Sequence, residues 1–132
     1  MSEIIQVELS IAAAPSQVFQ AVTRADELTH WFAEHAEVSQ AEGRYDFWGQ
    51  TTPEGLPPDQ GRHRLLSWEE DRSLAFAWPV RGEESTVTMT LAPQEQGTLL
   101  RLVHEGLPAR KPGQASFTDF WELSLENLRG CV

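Results

Sequence analysis

Cysteine is all but missing from this chain. Cys131 is the only one, so an intramolecular disulfide is excluded and a reducing setting, the cytoplasm, is expected. A prenylation box would need two more residues after Cys131 than the sequence has, and none is expected. Long apolar runs are missing too. No window approaches the roughly eighteen apolar residues of a membrane-spanning helix. The opening Met1-Ser2-Glu3-Ile4 has neither the basic region nor the apolar stretch of an export signal, so neither a span nor a leader is expected.

Positive charge is scarce. Ten basic residues stand against 20 acidic ones, a formal net charge of −10 that repels phosphate backbones and anionic lipid surfaces. Nucleic acid is therefore not an expected partner. Dispersed acidity keeps a small domain soluble, and it leaves open an acidic face for a basic partner. Repeats, low-complexity tracts and domain-dividing linkers are absent, so the 132 residues are expected to form one domain. A chain of that length buries roughly two-thirds of its unfolded surface and folds without staples. The four histidines, His30, His35, His63 and His104, lack zinc-like spacing, and no Ser/His/Asp or Cys/His grouping is visible. Neither metal nor cofactor is expected.

Aromatic residues are plentiful: five Trp, six Phe and one Tyr, most of them expected in the core. Ile4 to Ile11 alternates, with Ile5, Val7, Leu9 and Ile11 on one face, and predicts a half-buried strand. Pro15 suits the first turn of a short helix carrying Val18, Phe19 and Val22. Asp26 is placed to cap a second one carrying Leu28, Trp31 and Phe32. Period two then predicts strands near Ala36 to Gln40, Arg44 to Gly49, Gly61 to Trp68, Ser73 to Trp78, Glu84 to Ala92 and Thr98 to His104. Residues 53–61, with three prolines and two glycines, predict a loop at one end of the sheet.

The last segment predicts the best-defined helix. Ser116 and Asp119 give a capping signal, Phe117, Phe120, Trp121, Leu125 and Leu128 share one face, and Gly130 sits where a C-terminal cap would. About fourteen residues make a rod of roughly 20 Å, enough to cross several strands. Strand parity tells what faces it. Arg62 and Arg64 belong in water, which turns His63 and Leu65 inward; Arg101 likewise turns Leu100, Leu102 and His104 inward. The same parity sends Phe47, Leu74, Phe76, Trp78, Val87, Met89 and Leu91 to the helix side. Two histidines in so apolar an interior each need a hydrogen-bond partner.

The order of these pieces, from Ala14 to Thr23, Leu28 to Phe32, Gly43 to Phe47, Leu74 to Trp78, Val87 to Leu91, Gly97 to Pro108 and Phe120 to Leu128, resembles the START-related helix-grip (SRPBCC) superfamily. Within it, the chain is similar to the branch named after activators of the ninety-kilodalton heat-shock chaperone's ATPase, C-terminal domain type. The resemblance covers about Val7 to Arg129. It implies an α+β helix-grip fold: a seven-stranded curved antiparallel sheet around a long C-terminal helix, two short helices after strand one, and a cavity for a small hydrophobic molecule. The family's motif residues correspond to Trp31, Phe32, Trp78, His104 and Trp121. Two departures stand out. Relatives usually carry Gly where this chain has Phe120, whose ring can fill ligand space, and their last helix often runs further.

Parity and resemblance together predict a cavity lined by Trp31, Phe32, Phe47, His63, Leu65, Phe76, Trp78, Met89, Leu100, Leu102, His104, Phe117, Phe120 and Trp121. Apolar walls would give affinity, and His63, His104 or the Trp78 N–H would orient a lipid, sterol or aromatic metabolite. The same residues also suit a dry, filled core. A cyclase- or lyase-type enzyme, as the resemblance implies for distant members, would need acid–base work from His104 or His63 beside Glu105; parity sends Glu105 to the opposite face. A chaperone cofactor is not expected, since the separate N-terminal domain of the activators proper has no counterpart in this sequence. A homodimer stays open.

Overall fold

The computed structural model describes residues 2–48, 63–80, 83–108 and 117–132. Its strands are β1 Ser2–Ile11, β2 His35–Ser39, β3 Arg44–Trp48, β4 Arg64–Glu69, β5 Ser73–Val80, β6 Glu83–Gln94 and β7 Gly97–Pro108. Helices α1 Pro15–Thr23 and α2 Ala25–Trp31 follow β1, and α3 Phe117–Cys131 ends the chain. All seven strands form one antiparallel sheet in the order β1-β7-β6-β5-β4-β3-β2. Strands β2 to β7 are therefore a meander, and α1 and α2 carry the chain from one sheet edge to the other. The sheet curves around α3 as expected.

Local chemistry accounts for the elements. The alternation in β1 buries Ile5 and Ile11 and leaves Ile4 outside. Pro15 occupies the first position of α1, and the Gln17 side chain accepts the Ala14 N–H at 3.1 Å, half of a capping box. The short helices are tied down at their apolar faces. Trp31 Nε1 donates to the Ala21 carbonyl at 2.8 Å, and the Tyr45 hydroxyl of β3 donates to the Val22 carbonyl at 2.6 Å.

Some expectations need correction. Asp26 does not cap α2: the helix starts at Ala25, and Asp26 lies in its first turn, paired with Arg24 at 3.3 Å. A carboxylate there still complements the helix dipole. Gly130 does not stop α3, which runs on to Cys131. Gly130 is not among the residues with positive φ, and a glycine stop requires the left-handed region. Strands β5, β6 and β7 extend further than predicted. The loop at 53–61, the outward Arg62 and the Ser116 cap lie outside the described residues.

A register shift between Leu65 and Ser67 marks a bulge in β4. It leaves Leu66 44 % exposed and returns Trp68 to the inner face, where its ring meets the edge of Phe19 at 5.3 Å. Among the described residues, the β3–β4 ladder sets Arg44 opposite Arg64, with backbone bonds from Tyr45 N to the His63 carbonyl (3.0 Å) and Leu65 N to the Gly43 carbonyl (2.8 Å). Among the described residues, no helix is long and apolar enough to cross a membrane.

Candidate functional site

Strand parity brings the sequence-predicted strand residues to the face under α3, where they meet Phe117, Phe120 and Trp121 of α3 and Trp31 and Phe32 at the end of α2. All are buried except Leu65, which is half-buried. Phe32, Phe47, His63, Phe76, Trp78, His104, Phe117, Phe120 and Trp121 form one continuous set of ring contacts. Trp31 touches it only through Phe32 and turns its N–H to α1. Met89 and Leu102 pair with each other two residues along the strands from His104, and Leu100 pairs with Leu91 another two residues on. These three line the core beyond the rings.

Trp78 is the hub. Its ring stacks on His104 (5.4 Å, 13°) and meets Phe47, Phe117 and Trp121 edge-on at 4.9, 5.3 and 5.9 Å. Phe120 closes over it from α3, 6.1 Å from Trp78, 5.9 Å from Phe32 and 4.9 Å from Trp121. Rings thus occupy the space where α3 meets the sheet, with Phe120 among them. At 8 % exposure it is the most accessible ring of the set.

His104 is fully engaged. Trp121 Nε1 donates to His104 Nδ1 at 3.0 Å, so Nδ1 is the acceptor and Nε2 carries the proton. Nε2–H then donates to Ser85 Oγ at 2.8 Å, and the Ser85 hydroxyl donates to the Trp78 carbonyl at 2.6 Å. Burial pushes the His104 pKa down to about 3, because an imidazolium there would lose its hydration. Burial likewise pushes the Tyr45 phenol upward. His63 stacks face-on against Phe47 at 3.8 Å and 3°, and its backbone N–H donates to Asp46 Oδ1 at 2.8 Å.

By contrast, Trp78 Nε1–H is buried with no hydrogen-bond partner among the described residues. An indole nitrogen is a donor only, and leaving it dry and unbonded costs about 1–3 kcal/mol.

Ser85 and Asp46 were not singled out in the sequence. Ser85 shares parity with Val87 and Met89, and that was its only signal. Asp46 points to the opposite face yet is buried, because Arg44 folds over it with Nε 2.9 Å from Oδ2. On that face an open pocket of about 520 Å³ is lined by Arg44, Asp46, His63, Arg64, Ala77 and Glu84. It shares only His63 with the predicted lining. Among the described residues, no group of three His, Cys, Asp or Glu side chains is placed to hold a metal ion.

Comparison with known proteins agrees with this architecture. Protein MLL2253 from Mesorhizobium loti superposes with a TM-score of 0.74 at 22% identity, covering 98% of this chain and 96% of that one. CalU16 from Micromonospora echinospora gives 0.69 at 24% identity, over 98% and 74%. DynU16, described as a putative protein in the dynemicin biosynthetic locus, gives 0.68 at 21% identity, over 96% of this chain and 46% of that one. At these identities the likeness establishes the fold. No curated protein matches the sequence. The family model described as activator of Hsp90 ATPase homolog 1-like protein matches residues 12–132, and the chain belongs to that family.

Proposed function

We propose that the protein binds a small hydrophobic molecule between its sheet and α3, at the rings around Trp78, and that its 132 residues act as one binding domain in the cytoplasm. The observation that carries this is the buried, unpartnered Trp78 N–H. Plain packing gains nothing from a donor at that point, since phenylalanine offers a similar ring without the penalty. A ligand acceptor would remove the cost. Entry would proceed by displacement of Phe120, which would open room for about one ring. The description of DynU16 places one structural relative in a biosynthetic locus, a setting that suits small-molecule binding.

Acid–base catalysis of the cyclase or lyase type draws no support from His104, whose ring nitrogens are both bonded and whose pKa lies near 3. Activation of a chaperone ATPase rests on the family description alone; an unchanged ATPase rate on adding the protein would remove it.

The test is native mass spectrometry with thermal-shift screening against sterols, fatty acids, flavonoids and aromatic metabolites. A ligand at a hundred times its Kd should add about 2.7 kcal/mol of stability. No stabilisation by any member of the panel would leave the rings as ordinary packing and end the proposal.

A further inference from the structure

We infer that the molecule held under α3 is uncharged and aromatic and presents a hydrogen-bond acceptor, as an aryl ketone does, to the Nε1–H of Trp78. This rests on the binding function proposed above and specifies its ligand class.

One indole donor among the rings sets the first condition. Trp31, Trp121, Tyr45 and Ser85 each spend their donor within the protein, on the Ala21 carbonyl, His104 Nδ1, the Val22 carbonyl and the Trp78 carbonyl. Trp78 alone of these buried donors keeps an unused hydrogen. It cannot accept a bond, so the group that satisfies it must. A ketone or ether oxygen does so.

Charge sets the second condition. Apart from the two histidines, the only buried ionisable side chain among the described acidic and basic residues is Asp46, which Arg44 holds on the other face of the sheet. Among the described residues, a carboxylate or ammonium ligand would find no counter-charge under α3, and its desolvation cost is one that a single indole N–H cannot offset. The walls supply the third, since ring faces and edges on every side of Trp78 favour an aromatic body.

The experiment compares three probes of one shape, 1-indanone, indane and indane-1-carboxylate, titrated into the full chain carrying ¹⁵N-labelled tryptophan. One neutral hydrogen bond should make 1-indanone bind about tenfold more tightly than indane. The carboxylate should not bind over the same range. The Trp78 indole N–H resonance should move downfield with 1-indanone beyond the shift indane causes, since both probes bring similar ring currents. Trp78→Phe should bring the ratio of 1-indanone to indane affinity to about one, whatever it does to either affinity; should that variant not fold, the resonance in the unaltered chain decides. Equal affinity for 1-indanone and indane, or tighter binding of the carboxylate, would overturn the ligand class and leave the binding site standing. No binding of any of the three would overturn both.

Discussion

Trp121 and His104 are joined by a hydrogen bond from the indole Nε1 to the imidazole Nδ1 at 3.0 Å, and that bond fixes both the tautomer and the charge of the histidine. Protonating Nδ1 would set two donors against each other inside the rings. Burial already holds the folded-state pKa near 3, against an ordinary 6.5. Between those values the unfolded chain binds a proton that the fold refuses, so stability is complete above pH 6.5 and falls as the pH is lowered. The contribution is about 1.4 kcal/mol per pH unit. Urea melts from pH 7 to pH 4 should show this slope reduced in His104→Gln, which keeps an acceptor and a donor but does not titrate. Equal slopes in both proteins would refute the assignment.

Phe120 packs into the rings beneath α3. Phe120→Gly removes a ring contacting Trp78, Phe32 and Trp121 and puts glycine inside a helix. The cavity and helix terms together should cost about 3–5 kcal/mol. The same change should widen the range of ligands accepted, seen as stabilisation by members of the aromatic panel that do not stabilise the unaltered chain. A variant that is merely weaker, with an unchanged binding spectrum, would show that Phe120 does not plug the site.

Much of this was legible beforehand, for a physical reason. Period two in Val87-Thr-Met-Thr-Leu91 and Leu100-Arg-Leu-Val-His104 fixes which strand side chains meet α3, while Phe117, Phe120 and Trp121 follow from the helical stripe and Trp31 and Phe32 from the family resemblance. Leu65-Leu66 hid the bulge, because two adjacent leucines carry no phase; only the register shift that returns Trp68 inward reveals it. Ser85 read as an ordinary polar strand residue, and its place under His104 depends on a partner 19 positions away. Asp46 was invisible for a similar reason. A carboxylate with outward parity implies solvent until Arg44 is seen lying across it.

That Asp46 should matter more than its neighbours. Arg44 stands directly opposite Arg64 in the β3–β4 ladder, a like-charge pairing that needs compensation. Asp46 supplies it from a buried position, 2.8 Å from the guanidinium, and also accepts the His63 N–H; Glu37 and Glu42 reach the same guanidinium at 2.6 and 3.2 Å but lie in solvent. Asp46→Ala should cost about 1–3 kcal/mol, because it orphans the buried His63 backbone N–H, while Arg44 keeps Glu37 and Glu42. Glu42→Ala should cost under about 1 kcal/mol. Denaturant unfolding of the two variants separates them, and comparable losses would mean the pairs act as interchangeable surface charges.

The β6–β7 turn offers the sharpest steric test. Gly97 opens β7 with φ +149°, a conformation that side chains rarely adopt, and a Cβ there would stand 2.0 Å from the Ile11 carbonyl oxygen. That carbonyl belongs to the end of β1, which pairs with β7 through Ile11 and Thr98, and the Thr98 hydroxyl donates to the Ala13 carbonyl at 2.7 Å. Neither backbone can retreat without unzipping the far end of the β1–β7 ladder or pulling α1 from its seat. Gly97→Ala should therefore cost about 3 kcal/mol or more, at the upper end of what one substitution does. Hydrogen exchange should show the loss first at the amides of Leu9, Ile11 and Leu99, with the rings around Trp78 still protected. A variant within about 0.5 kcal/mol of the unaltered chain would mean that β1 does not approach the turn this closely.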